Sequence, residues 1–140
     1  MKRLVIGLGN PFRGDDAAGL EVAGRVRSSP AIQNMTGSYE LIDLWSGSDE
    51  VIIVDATHSN SPAGTIHRFD PRRRPLPAGT FASTHAIGVA ETIELARRLD
   101  RLPDQLSVYG IEAGSFARGT DISPAVAHAI ELVAEEIDDA

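Results

Sequence analysis

Apolar and polar positions fall into blocks along this chain, and the blocks switch between strand-like runs and helical spacing. Lys2 to Gly7 is a short apolar run ending at glycine, which predicts a buried strand. From Asp16 to Arg27, Ala18, Val22 and Val26 recur at helical spacing, with Asp15 or Asp16 placed to cap the helix. A short strand is expected around Ala31 to Met35. A helix follows, with Leu41, Ile42 and Trp45 on one face and Gly47 as its stop. "EVIIVDAT" is the clearest strand, four apolar residues with Asp55 at the C-terminal end. "GTIHRFD" is shorter and more polar, as an edge strand would be. Pro71 to Gly79 holds too much proline for regular structure and reads as an exposed loop. Ile87 to Leu99 is an amphipathic helix, and "LSVYGIEAG" is a further strand. Ser123 and Pro124 form an N-cap and first helical position, opening a last helix that runs to about Ile137 before an acidic tail.

Strands alternating with helices predict an α/β domain spanning residues 1–140, its mostly parallel sheet covered on both faces. In such sheets ligands sit beyond the carboxyl ends of the strands. The turn after the first strand and Asp55 both fall at that edge, and the loop entering the helix at Ile87 is expected there too. At 140 residues and 42% hydrophobic content, the chain has the make-up of an ordinary globular domain. Its net charge of −7 argues against a broad nucleic-acid surface. The absence of cysteine excludes disulfides, iron–sulfur clusters and thiolate metal sites. The apolar run in "MKRLVIGLGN" is too short for a signal-peptide core or a membrane span, so a cytoplasmic protein without a membrane partner is expected.

The stretch "LVIGLGNPFRGDDAAG" carries the first candidate chemistry. Two close glycines after a strand suggest a phosphate cradle, but the third glycine of a dinucleotide fingerprint is replaced by Phe12. Asp15 and Asp16 stand where phosphate charge would arrive, and no P-loop lysine follows. Adjacent carboxylates repel, and a bound cation relieves the repulsion; a plain helix cap is the competing explanation. Asp55 emerges from a buried strand, where an unpartnered charge is costly. Of the four histidines, His67 and His128 read as surface or packing residues. His58, in "ATHSNSP", and His85, in "ASTHAIG", are equal candidates for the nitrogen donor that would join two carboxylates around a borderline divalent metal.

In that order, "GLGNPFRGDDAAG", "IIVDA", "STHAIG" and "GIEAGSF" resemble the motifs of the hydrogenase maturation endopeptidases, and the resemblance covers nearly the whole chain. It implies a three-layer α/β/α sandwich, mostly parallel with one antiparallel edge strand. It implies an enzyme that removes the C-terminal extension of a nickel–iron hydrogenase large-subunit precursor after nickel insertion. The nickel carried by the substrate acts as the recognition signal, so no permanently bound metal is required. The family's metal-binding positions match Asp16, Asp55 and His85, which favours His85 over His58, and Asp16 and Asp55 are the catalytic candidates. Ala17 stands where relatives often have glycine, and "NMTG", Asn34 to Gly37, replaces a more glycine-rich turn. Glu112 in "GIEAGSF" reads as cleft lining or loop support, and Arg72, Arg73 and Arg74 as a solvated loop or a steering patch for an acidic partner.

Two other readings make different demands. "VIGLGNP" also resembles the start of peptidyl-tRNA hydrolases, but the histidine and asparagine expected shortly afterwards are replaced by "FRGDDAAG". A non-catalytic nickel-binding chaperone on the same scaffold would bind the precursor and leave its extension attached. As exposed rim residues, Asp16 and His85 are expected to carry little stability, and loss of the Asp55 charge is expected to cost more.

Overall fold

Packed backbones, rather than side chains alone, set the frame of this protein. In the computed structural model, residues 2–35, 39–77, 79–81, 88–116, 119 and 121–140 are described. Strand β1 (Arg3–Leu8) leads through a 3-10 turn (Gly14–Ala17) into α1 (Ala18–Arg25), and β2 (Ala31–Asn34) and α2 (Glu40–Trp45) follow. Then come β3 (Glu50–Thr57), β4 (Ile66–Phe69), α3 (Val89–Arg98), β5 (Gln105–Glu112) and α4 (Pro124–Asp139). The five strands lie in the order β2-β1-β3-β5-β4. All neighbouring pairs are parallel except β4 against β5, which is antiparallel, as the resemblance implied for one edge.

The alternation of side chains along each strand divides the core into two layers. Leu4, Ile6, Val51 and Ile53 face one way and pack under α2 and α3, where Leu41, Trp45 and Ile93 are buried. Val5, Ile52, Val54 and Ile111 face the other way and pack under α1 and α4, against Val22, Ile130 and Ile137. The sheet is therefore the middle of three layers, and β3, buried along nearly its whole length, reads as a continuous apolar run for that reason. Among the described residues no helix is long and apolar enough to cross a membrane.

Several helix boundaries differ from the sequence reading. The expected helix from Asp16 to Arg27 starts as the 3-10 turn, becomes α-helical at Ala18 and ends at Arg25. Neither Asp15 nor Asp16 caps α1, whose N-cap position is Ala17 with no side-chain hydrogen bond. Ser123 does occupy the N-cap position of α4, but its hydroxyl donates to Asp15 instead of capping the helix. The last helix also continues to Asp139, through the acidic residues assigned to a tail. Of the amphipathic helix expected from Ile87, Ile87 itself lies outside the described residues, and α3 begins at Val89.

The chain passes from β1 through α1 to β2 on one side, then returns to place β3 on the other side of β1. The carboxyl ends of β1 and β3 thus flank the point where the winding reverses, the usual binding crevice of an open α/β sheet. Gly7 pairs with Val54 in the ladder, so the loop after β1 leaves the sheet level with Asp55.

Candidate active site

The loop between β1 and α1 is shaped by backbone contacts that bring Asp16 over the crevice. The Asp16 N–H donates to the Arg13 carbonyl (3.0 Å), and its own carbonyl accepts from the Asn10 N–H (3.3 Å). Gly9 lies directly against that carbonyl. Its φ is +151°, and a Cβ there would fall 2.1 Å from the Asp16 oxygen. Glycine is required at this position because the turn folds back on itself. Asp16 is 1% exposed.

Asp55 reaches the same crevice from β3, two residues before the strand ends, and is 3% exposed. Its Oδ1 accepts the Ala56 N–H at 2.8 Å. Burial pushes the Asp55 carboxyl well above the ordinary carboxylate range, the Ala56 hydrogen bond pulls it partly back, and the negative charge of Asp16 raises it again. Two carboxyl groups from chain segments 39 residues apart are thus electrostatic neighbours in a low-dielectric crevice. Asp16 is therefore buried, not the exposed rim group the sequence suggested, and Asp55 is buried beside it.

The adjacent Asp15 has a different role. Its carboxylate turns into the segment between β5 and α4, accepting from the Gly114, Ser115 and Ser123 N–H groups and from Ser123 Oγ. One aspartate of the pair therefore ties two loops together while the next enters the crevice.

Of the histidines, His85 lies outside the described residues. His58 is exposed on the loop after β3, its N–H donating to the Thr80 carbonyl at 2.8 Å and its ring tilted against Phe116 at 5.6 Å between centroids. Among the described residues no group of three or more His, Asp and Glu side chains is arranged to hold a metal ion, so His58 does not complete a set with Asp16 and Asp55. His128 is exposed on α4.

A buried network that the sequence reading did not anticipate stands beside Asp55. Glu112, at the end of β5, is 1% exposed and pairs with Thr57 in the ladder. It accepts from Thr57 Oγ1 (2.9 Å), from the Ser59 N–H (2.8 Å) and from Ser59 Oγ (2.7 Å), and its Oε1 lies 3.2 Å from His67 Nε2. Burial alone would raise the Glu112 carboxyl. The hydrogen bonds from Ser59, Thr57 and His67 outweigh it and hold the group below its ordinary value. Ser59, His67 and Glu112 have the composition of a nucleophilic triad but not its geometry, because the same imidazole nitrogen faces both the serine hydroxyl (3.4 Å) and the carboxylate. The network supports the loop leaving β3, which decides between the two roles left open for Glu112. The arginine loop is also structural in part: Arg72 donates to the Pro103 carbonyl and the Arg73 N–H to the Asp70 carbonyl, while the Arg73 side chain, 85% exposed, forms a long ion pair with Asp70.

With this arrangement of buried acids at the switch point, comparison with known proteins decides the family. Residues 32–140 match the hydrogenase maturation protease family, HycI. The chain belongs to the hydrogenase maturation protease family. It is similar to the hydrogenase 2 maturation protease of Escherichia coli strain K12, at 25% identity over 98% of this chain and 88% of that one. Its fold matches the hydrogenase maturating endopeptidase HybD from E. coli with a TM-score of 0.84, at 23% identity over 98% of this chain and 90% of the other. It also matches the [NiFe] hydrogenase maturation protease HycI from Thermococcus kodakarensis KOD1, with a TM-score of 0.74 and 26% identity over 99% and 90% of the two chains. Membership of this family of peptidases sets aside the peptidyl-tRNA hydrolase reading, which rested on "VIGLGNP" alone.

Proposed function

We propose that this chain is an endopeptidase that removes the C-terminal extension of a nickel–iron hydrogenase large-subunit precursor once nickel is in place. The observation that carries this reading is the pair Asp16 and Asp55, buried side by side at the switch point of a hydrogenase maturation protease fold. Two carboxyl groups confined together form a site whose natural occupant is positive. Nickel arriving in the precursor relieves their mutual repulsion, so binding energy is gained only with a loaded substrate. His85 supplies the imidazole nitrogen that completes the set. That assignment is supported by its place in "STHAIG", ahead of α3, and by the failure of His58 to join the two aspartates.

The substrate's nickel, gripped by these side chains, fixes the extension against the crevice and turns recognition into positioning. Hydrolysis then requires a water activated by one of the two aspartates, or a scissile carbonyl polarised by the metal. A carboxyl group whose affinity for its proton is raised, as at Asp55, is suited to taking a proton from that water. The enzyme needs no resident metal, and the cytoplasm, where the precursor is made, is its proposed compartment.

The test is to incubate the protein with purified precursor, nickel-loaded and nickel-free, and to weigh the products by mass spectrometry. The proposal expects the loaded precursor to lose the mass of its extension and the nickel-free one to remain whole. Binding with no change of mass in either would make the chain a non-cleaving chaperone.

A further inference from the structure

Asp15 and Asp16 are consecutive in the turn Gly14–Ala17, yet the protein sends their side chains to different places. In a 3-10 turn, successive side chains diverge by about 120°, so fixing one fixes the direction of the next. Asp15 is fixed thoroughly. It is 1% exposed, and its Oδ2 accepts from the Gly114 N–H at 2.7 Å, the Ser115 N–H at 3.0 Å and Ser123 Oγ at 2.8 Å. Its Oδ1 accepts the Ser123 N–H at 2.8 Å, at the start of α4.

The backbone continues the same seam. The Asp15 N–H donates to the Ser115 carbonyl (3.0 Å), the Gly14 N–H to the Gly119 carbonyl (3.0 Å), and the Gly119 N–H to the Phe12 carbonyl (2.9 Å). The loop after β1 is thereby joined to the loop after β5 at Phe12, Gly14 and Asp15, where the turn begins. By contrast, the backbone bonds of Asp16 itself, to Arg13 and Asn10, stay within its own loop.

Resting on the reading above, we propose that Asp15 is a positioning residue: by clamping the turn to the Gly114–Ser123 segment, it aims the Asp16 carboxylate at the crevice it shares with Asp55. A carboxylate serves this purpose better than an amide because all its donors converge on two oxygens, and each is satisfied only when the turn has one rotation. Asp15→Asn is nearly isosteric, but its NH₂ cannot accept, so at least one of the four donors loses its partner.

The experiment compares Asp15→Asn with Val133→Ala, a control in the core of α4 away from the crevice, using nickel-loaded precursor as substrate and thermal unfolding as the measure of folding. Asp15→Asn is expected to stay folded and to lose about 100-fold in kcat/KM, the scale of a 1 Å misplacement. Val133→Ala is expected to lower the Tm while keeping kcat/KM within about twofold. A folded Asp15→Asn that cleaves at the wild-type rate overturns the proposal, as does a Val133→Ala that loses as much activity for the same loss of Tm. If the wild-type protein itself leaves the loaded precursor whole, it is the functional reading that fails. The crystal structure of Asp15→Asn then decides the positioning role alone. An Asp16 carboxylate displaced from its wild-type place beside Asp55 by more than ~0.5 Å sustains it, and an unmoved one overturns it.

Discussion

Replacing Gly19 with alanine perturbs the frame of the site without touching either aspartate. Gly19 lies in the first turn of α1, where the helix crosses the ends of β1 and β3. A Cβ at this position would fall 2.2 Å from the Val54 carbonyl oxygen and 2.4 Å from that of Leu8. Both are backbone atoms of central strands, so neither can turn aside as a flexible side chain would. Restoring ordinary contact requires the helix to rise by about 1 Å. That movement loosens the packing of Ala18 and Val22, both fully buried on the inner face of α1. Overpacking costs about 1–3 kcal/mol, and a site walled by backbone on two sides belongs at the upper end. A loss of about 3 kcal/mol should lower the Tm of a chain this size by roughly 10 °C.

The same helix holds its own control. Gly24 is exposed, and a Cβ there would meet only Gln33 Nε2, at 3.4 Å. Gly24→Ala should therefore stabilise the protein by about 0.5–1 kcal/mol through helix propensity and a less flexible unfolded chain. Urea denaturation of both variants gives the answer. Opposite signs are expected, and a Gly19→Ala variant within about 0.5 kcal/mol of wild type would refute the packing argument. Because the helix shift also moves the turn that carries Asp16, precursor cleavage by Gly19→Ala should fall further than the folded fraction does.

Asp55→Asn should abolish precursor cleavage yet raise stability at neutral pH, reversing the extra destabilisation expected from the sequence, because Asn keeps an acceptor for the Ala56 N–H without a buried charge. The sign follows from linkage: a raised folded-state value means that wild-type stability is full below the unfolded carboxyl value, and declines as pH rises toward the folded one. Denaturation curves across pH should show that decline in wild type and not in the variant. Glu112 behaves oppositely, since its value is held down: its contribution is present above the unfolded carboxyl value and fades as pH falls through the folded one. Glu112→Gln, which cannot accept from all the Thr57, Ser59 and His67 donors, should cost about 1–3 kcal/mol at neutral pH and progressively less in acid, measured by the same titration. His85→Ala should eliminate cleavage of nickel-loaded precursor while His58→Ala leaves most of it; the reverse result would reassign the nitrogen donor.

The order of elements was legible because each strand and helix buries one face of an open sheet, and that burial imposes its period on the sequence. β3 announced itself with "VIIV" because both of its faces are covered. The crevice was legible too, since topology alone puts the ends of β1 and β3 together. What the chain hid were contacts between distant segments. Nothing in the pair Asp15-Asp16 reveals that the first binds Ser123, 108 residues away, while the second enters the crevice. The missing third glycine of the fingerprint was sought at Phe12, but the close approach of helix to strands is made at Gly19, one turn into the element that the pattern called helical. The Glu112 network was invisible for a related reason: Thr57, Ser59 and His67 look like ordinary loop and edge residues until β3, β4 and β5 bring them around one carboxylate.

Nickel X-ray absorption of the loaded precursor, alone and in complex with this protein, tests the central claim most directly. The account predicts that complex formation adds carboxylate oxygen and one imidazole nitrogen to the nickel. The nitrogen should disappear with His85→Ala, and the oxygen contribution should fall with Asp16→Ala. A nickel spectrum unchanged when the two proteins bind would contradict it.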